Sequence, residues 1–157
     1  MIPRLAVTAA ALAALAAAPA PAQHATHAAA PPATPAAEGG RPYTAALTGA
    51  AERPNPGDPD GTGTATLRVN AGQGQVCYTI NVANIDAATL AHIHRGGVDV
   101  AGPVVVNFTP PADGSSEGCA SVDRALAQEL IRAPAGFYVN VHNAAFPSGA
   151  VRGQLSR

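Results

Sequence analysis

The sequence has no tryptophan, three tyrosines, three phenylalanines and a single methionine in 157 residues. Valine, isoleucine, leucine and alanine must therefore fill any core. Only 12% of the residues are charged, and the formal net charge is −1. That leaves neither the basic face that nucleic acid requires nor a polyacidic tail. The chain has no glycine-rich phosphate loop, no Gly-x-Ser-x-Gly and no Cys-x-x-Cys, so the best-marked nucleotide, hydrolase and thiol-redox sites are excluded. Beyond residue 22 no apolar run approaches the ~20 residues that span a bilayer as a helix. No internal repeat is visible, which argues against a propeller or solenoid. Asp113 and Glu117 share one loop without an obvious partner, and nothing nominates a nucleophile.

The beginning of the chain sets a compartment. Met1-Ile2-Pro3-Arg4 carries one positive charge, an alanine-rich apolar run follows, and Ala20-Pro21-Ala22 is a small-x-small pattern. Residues 1–22 thus read as a secretory signal peptide. The alanine-rich run looks bacterial, and the expected location is periplasmic or secreted. No membrane span is expected in the mature chain. Residues 23–42 are rich in alanine and proline and have almost nothing large to bury, so they read as a disordered linker. His24 and His27 within it are treated as incidental. Residues 43–157 remain, an ordinary length for one domain. Cys77 and Cys119 are the only cysteines. Two cysteines in an exported chain argue for one disulfide, and neither sits beside a histidine.

The domain alternates as short strands do. In residues 62–70, Ala65, Leu67 and Val69 fall on one face. In residues 75–83, Val76, Tyr78, Ile80 and Val82 do the same. Residues 103–108 read as a strand covered on both sides, with Val104, Val106 and Phe108 on one face. Residues 119–122 read as a brief pairing segment. Leu126, Leu130 and Ile131 recur at helical spacing in residues 123–132, with Asp123 as N-cap and Pro134 as stop. The loop at 50–61 is crowded with proline and glycine. Its acids, Glu52, Asp58 and Asp60, lack calcium-loop spacing and read as solvated. Together these features predict an all-β antiparallel architecture with one short helix, a β-sandwich or a partly closed Greek-key barrel.

The stretch Ala91-His92-Ile93-His94-Arg95-Gly96 carries the chemistry. In a strand, His92 and His94 share one face, and imidazole is the commonest metal ligand. His142 ends a second strand-like run and shares its face with Asn140 and Tyr138. Two readings follow. If the strands are neighbours, the three imidazoles converge on one ion, nitrogen separations of about 3–4 Å would mark a nearly preformed cage, and Asn140 is the outer partner that fixes one ring. Otherwise they form a polar cluster that tethers strands, with Arg152 satisfying buried carbonyls or a loop carboxylate.

Several stretches resemble the chordin-type (CHRD) domain family. They are Ala91 to Gly96, Gly102-Pro103-Val104-Val105-Val106, Tyr138 to His142, and the closing Phe146-Pro147-Ser148-Gly149-Ala150-Val151-Arg152-Gly153-Gln154-Leu155. Leu47 to Glu52 and Gly61 to Ala65 fit the family's opening. The resemblance spans 43–157 and implies an immunoglobulin-like antiparallel Greek-key β-sandwich, often secreted by bacteria. It implies no settled biochemistry. In animals the domain occurs in extracellular antagonists of growth factors, but the cysteine-rich modules found there are absent here. Ala150 stands where the closing motif commonly has an acid, which puts in doubt a charge pair with Arg152. The His-x-His strand is also similar to the copper strand of copper/zinc superoxide dismutases, yet no histidine lies between Gly96 and Gly118, so most ligands of a dismutase would be missing and such an activity is not expected. The functional expectation is an exported protein that binds a transition metal, copper before zinc, through His92, His94 and His142. The alternative is a non-enzymatic module that recognises an extracytoplasmic protein, with structural histidines.

Overall fold

A computed structural model describes residues 39–157. The expected signal peptide at 1–22 and all but the last residues of the expected linker at 23–42 lie outside the described residues. The chain forms β1 (Arg41–Thr48), β2 (Thr62–Asn70), β3 (Gln75–Ala83), β4 (Ala88–Arg95), β5 (Val104–Phe108), β6 (Ser115–Ser121), α1 (Arg124–Arg132), β7 (Phe137–Asn143) and β8 (Val151–Gln154). The strands make one antiparallel sheet in the order β5-β4-β7-β8-β1-β2-β3-β6. The first strand starts at Arg41, two residues inside the segment whose composition reads as linker.

The sheet curls into a nearly closed, barrel-like sandwich. Its two ends approach where Tyr78 of β3, next to the edge strand β6, stacks on Phe108 of the edge strand β5 at 4.1 Å between centroids, and the Thr109 amide donates to the Tyr78 hydroxyl at 2.9 Å. Alternation decides which face turns inward. Leu67, Val69, Val76, Ile80, Ile93, Val139 and Val141 are almost wholly buried. Helix α1 plugs one end with Ala127 and Leu130, and the Tyr43 hydroxyl ties it to β1 by donating to the Ile131 carbonyl at 3.2 Å. Asp123 occupies the N-cap position without a side-chain capping bond.

Three local expectations are corrected. Strand β5 is an edge strand and is covered on one side only: Val104 is exposed whereas Val106 and Phe108 are buried. A register shift between Ile93 and His94 turns Val104 away from the core face. Strand β6 extends back to Ser115, because β3 offers it an uninterrupted partner from Gln75 to Asn81. Glu52 and Asp58 are buried, not solvated, because the 49–61 loop folds against the 149–150 segment, the Asp58 amide donating to the Ala150 carbonyl at 2.9 Å.

Cys77 and Cys119 face each other across β3 and β6 and form a disulfide with a sequence separation of 42 residues. The crosslink closes that loop in the unfolded chain, which stabilises the fold by about 4 kcal/mol in the chain-entropy account. The double variant C77S/C119S is expected to lose most of that in chemical denaturation. A loss below about 1 kcal/mol would show that the strands hold their register without the crosslink.

Candidate metal centre

Strand β4 pairs with β7 so that His92 lies opposite Asn140, His94 opposite Tyr138 and Leu90 opposite His142. Strand β8 continues the row, with Arg152 beside Asn140 and Gln154 beside Tyr138. The inner positions, Ala91, Ile93, Val139 and Val141, enter the core. The polar set therefore occupies the outer face, where water is the usual neighbour. Here that face is covered: His92 and His94 are 8% exposed, His142 7%, Asn140 2% and Arg152 1%.

Three loops cover it. The loop after β4 places the Gly102 carbonyl 2.8 Å from Nδ1 of His94, and the Gly102 amide donates to the Tyr138 hydroxyl at 3.1 Å. The loop after β7 places the Pro147 carbonyl 3.0 Å from Nδ1 of His142. The 49–61 loop contributes Glu52. Each carbonyl can only accept, so Nδ1 of His94 and of His142 carries the proton and Nε2 carries the lone pair. Ring orientation and tautomer are thus set from outside the cluster, as metal-ligating imidazoles require.

The lone pairs converge. Nδ1 of His92 lies 3.2 Å from Nε2 of His142. Metal–nitrogen bonds of about 2.0–2.1 Å at tetrahedral angles separate two ligands by roughly 3.3 Å. One ligating nitrogen from each of the three rings falls within 4.8 Å of the others. One pair thus already stands at the separation of two metal ligands, and the widest spacing exceeds it by roughly 1.5 Å. Among the described residues, Nε2 of His94 is buried with no hydrogen-bond partner, which a neutral cluster leaves unsatisfied. The Asn140 oxygen Oδ1 lies 3.1 Å from Nε2 of His142. The ring-fixing role expected of Asn140 belongs instead to the carbonyls of Gly102 and Pro147, and Asn140 faces the inner nitrogen.

Burial also keeps the rings neutral. It pushes His92 down to about 4, helped by His142 and His94. Desolvation lowers His94 and His142 as well, against the opposing pull of their carbonyl partners. Protons therefore compete weakly for these nitrogens near neutral pH.

Arg152 donates from Nη2 to the Gly97 carbonyl at 2.7 Å, while its Nη1 is buried without a hydrogen-bond partner. Its guanidinium also lies 3.4 Å from the Tyr138 ring centroid. His94 stacks on the same ring, 4.8 Å away and within 9° of parallel. With β4 and β8 on opposite sides of β7, Tyr138 separates the arginine from the imidazole. Ala150 supplies no countercharge; burial lowers Arg152, opposed first by Tyr138 and then by Glu52. Burial raises Glu52 to about 7, opposed first by Arg152 and then by Asn140. Neither Glu52 nor Tyr138 stood out in sequence as part of the site. Their only signal was membership in the stretches Leu47 to Glu52 and Tyr138 to His142. Gly149 (φ 139°) gives Glu52 its place, because a Cβ there would sit 2.3–2.5 Å from the carboxylate atoms.

Residues 43–155 match the family described as CHRD domain. No curated protein matches the chain.

Two outcomes are expected of the metal-free protein. Long-range proton–nitrogen NMR should find His94 and His142 as Nδ1–H tautomers; the opposite tautomer in either would remove the lone-pair argument. The second outcome concerns pH. Glu52 stays protonated in the fold up to about 7 but ionises near 4.5 when unfolded, so its stabilising contribution is complete below pH 4.5 and lost as pH rises through 7. The histidines act oppositely: their folded values lie below the usual 6.5, so stability is lost as pH falls below that value. Glu52→Gln removes only the first effect. From pH 5 to pH 8 the variant should gain on wild type by on the order of 2 kcal/mol in denaturant melts. A constant difference would mean Glu52 titrates normally.

Proposed function

This chain belongs to the CHRD domain family, and from that premise we propose that it is an exported protein whose buried trio His92, His94 and His142 binds a transition metal ion, copper before zinc, for buffering or delivery. The carrying observation is the convergence of three neutral imidazoles from two strands, with an inner nitrogen of His94 left unpartnered. An all-imidazole set suits Cu(II) and Zn(II) and disfavours calcium and magnesium, and Cu(II) stands highest in the affinity order. Export is supported by the disulfide and by the apolar leader at residues 1–22. Among the described residues no helix is long and apolar enough to cross a membrane.

A second reading draws on Leu90, Val98, Val100 and Val104. These large apolar side chains are 44–60% exposed and belong to β4, β5 or the loop joining them. They favour a surface that recognises another extracytoplasmic protein. The two readings are compatible if the protein hands its ion to a partner.

Copper titration of a chain carrying His24→Ala and His27→Ala, so that the tail adds no imidazole, should give one Cu(II) per chain with an electron paramagnetic resonance spectrum split by three nitrogens. His94→Ala should weaken binding by more than the about 10–100-fold typical of losing an outer partner. Equal, weak binding by both proteins would reject the metal reading. Because burial holds the imidazoles low, affinity should persist at pH 5.5, where ordinary imidazole sites are mostly protonated. Isothermal titration at pH 7 and 5.5 checks this, and a collapse at the lower pH would contradict it.

A further inference from the structure

The metal reading leaves one inner atom without a role, the side-chain oxygen of Asn140. Oδ1 lies 3.1 Å from Nε2 of His142, close to the 3.2 Å that separates that nitrogen from Nδ1 of His92. The Pro147 carbonyl at 3.0 Å claims the Nδ1 proton of His142, so Nε2 offers a lone pair. An amide oxygen and a ring nitrogen then face each other as two acceptors at contact distance. One neutral tautomer cannot serve both sides of the ring: moving the proton to Nε2 sets Nδ1 against the Pro147 carbonyl. His142 is 7% exposed, and burial disfavours the charged, doubly protonated ring that would serve both. A cation between the two atoms removes the conflict.

We propose that Asn140 is a direct fourth ligand, its Oδ1 completing an N3O set with His92, His94 and His142. The inference rests on the metal reading and sharpens it. A carbonyl oxygen is a hard donor. It strengthens binding of Cu(II) and Zn(II), which take four ligands here, and adds little for Cu(I), which soft ligands select. The site therefore discriminates between oxidation states, favouring Cu(II) and Zn(II) over Cu(I).

The test uses the full chain with His24→Ala and His27→Ala, loaded with Cu(II), with Zn(II), or with Cu(I) under anaerobic reductant. Asn140→Leu keeps the side-chain volume and removes the oxygen. It should lower Zn(II) and Cu(II) affinity by about 10–100-fold, leave Cu(I) affinity unchanged, and shift the Cu(II) resonance while retaining three nitrogens. Because Asn140→Leu alters a buried position, a readout on the unaltered residue accompanies it. The Asn140 carboxamide carbon should move on Zn(II) loading by more than that of any other asparagine. A Cu(II) spectrum and divalent affinities unchanged in Asn140→Leu, or an unmoved carboxamide, overturn the fourth-ligand role alone. A starting protein without the three-nitrogen pattern overturns the metal site, and this inference with it.

Discussion

Polar side chains shut away from water must find partners within the protein, and that requirement organises the outer face of this sheet. A half-buried sheet ordinarily leaves its second face to solvent. Here three loops close over it, and what lies beneath is imidazole, amide, guanidinium and carboxylate in place of aliphatic carbon. Two of the loops contribute backbone carbonyls where a donor needs one: Gly102 for His94 and Gly97 for Arg152 from the loop after β4, and Pro147 for His142 from the loop after β7. The two imidazoles are satisfied outward, and their remaining lone pairs face inward. Converging acceptors in a low-dielectric setting attract a cation.

The same requirement explains the closing segment residue by residue. Pro147 presents its carbonyl to an imidazole. Gly149 clears space for the Glu52 carboxylate. Arg152 crosses beneath Asn140 and lies over the Tyr138 ring. Gly153 packs against the Ala46 carbonyl, where a Cβ would lie at 2.1 Å. Gln154 spans the face with bonds to the Gly96 and Phe137 carbonyls at 2.7 and 2.8 Å. Ala150 brings no acid to Arg152, whose guanidinium rests instead on the Tyr138 ring and the Gly97 carbonyl.

Much of the fold was legible in advance because a strand's two-residue period is written directly into the order of side chains. The bounds of β2 and β3 follow from their alternation alone. The edge strand β5 was misread because three consecutive valines satisfy either face, and only the register shift beside His94 decides between them. Strand β6, with serine, glutamate and glycine, carries no hydrophobic signal and exists because β3 offers it a partner. At the site, His92 and His94 declared their shared face by spacing. Glu52 was hidden among prolines and glycines that describe a surface loop correctly but say nothing about what the loop covers.

The sequence by itself determined the short strands, the single helix, the cysteine pair and the side-by-side disposition of His92 with His94, because each follows from local periodicity or from counting. Only the tertiary structure decided that β7 lies next to β4. That adjacency brings His142 and Asn140 to within hydrogen-bond distance of the first histidines' neighbourhood, across some fifty residues of chain. It also decided that the shared polar face is buried. Strand order and loop closure arise from the sum of many weak, non-local contacts, and no short stretch of residues encodes them.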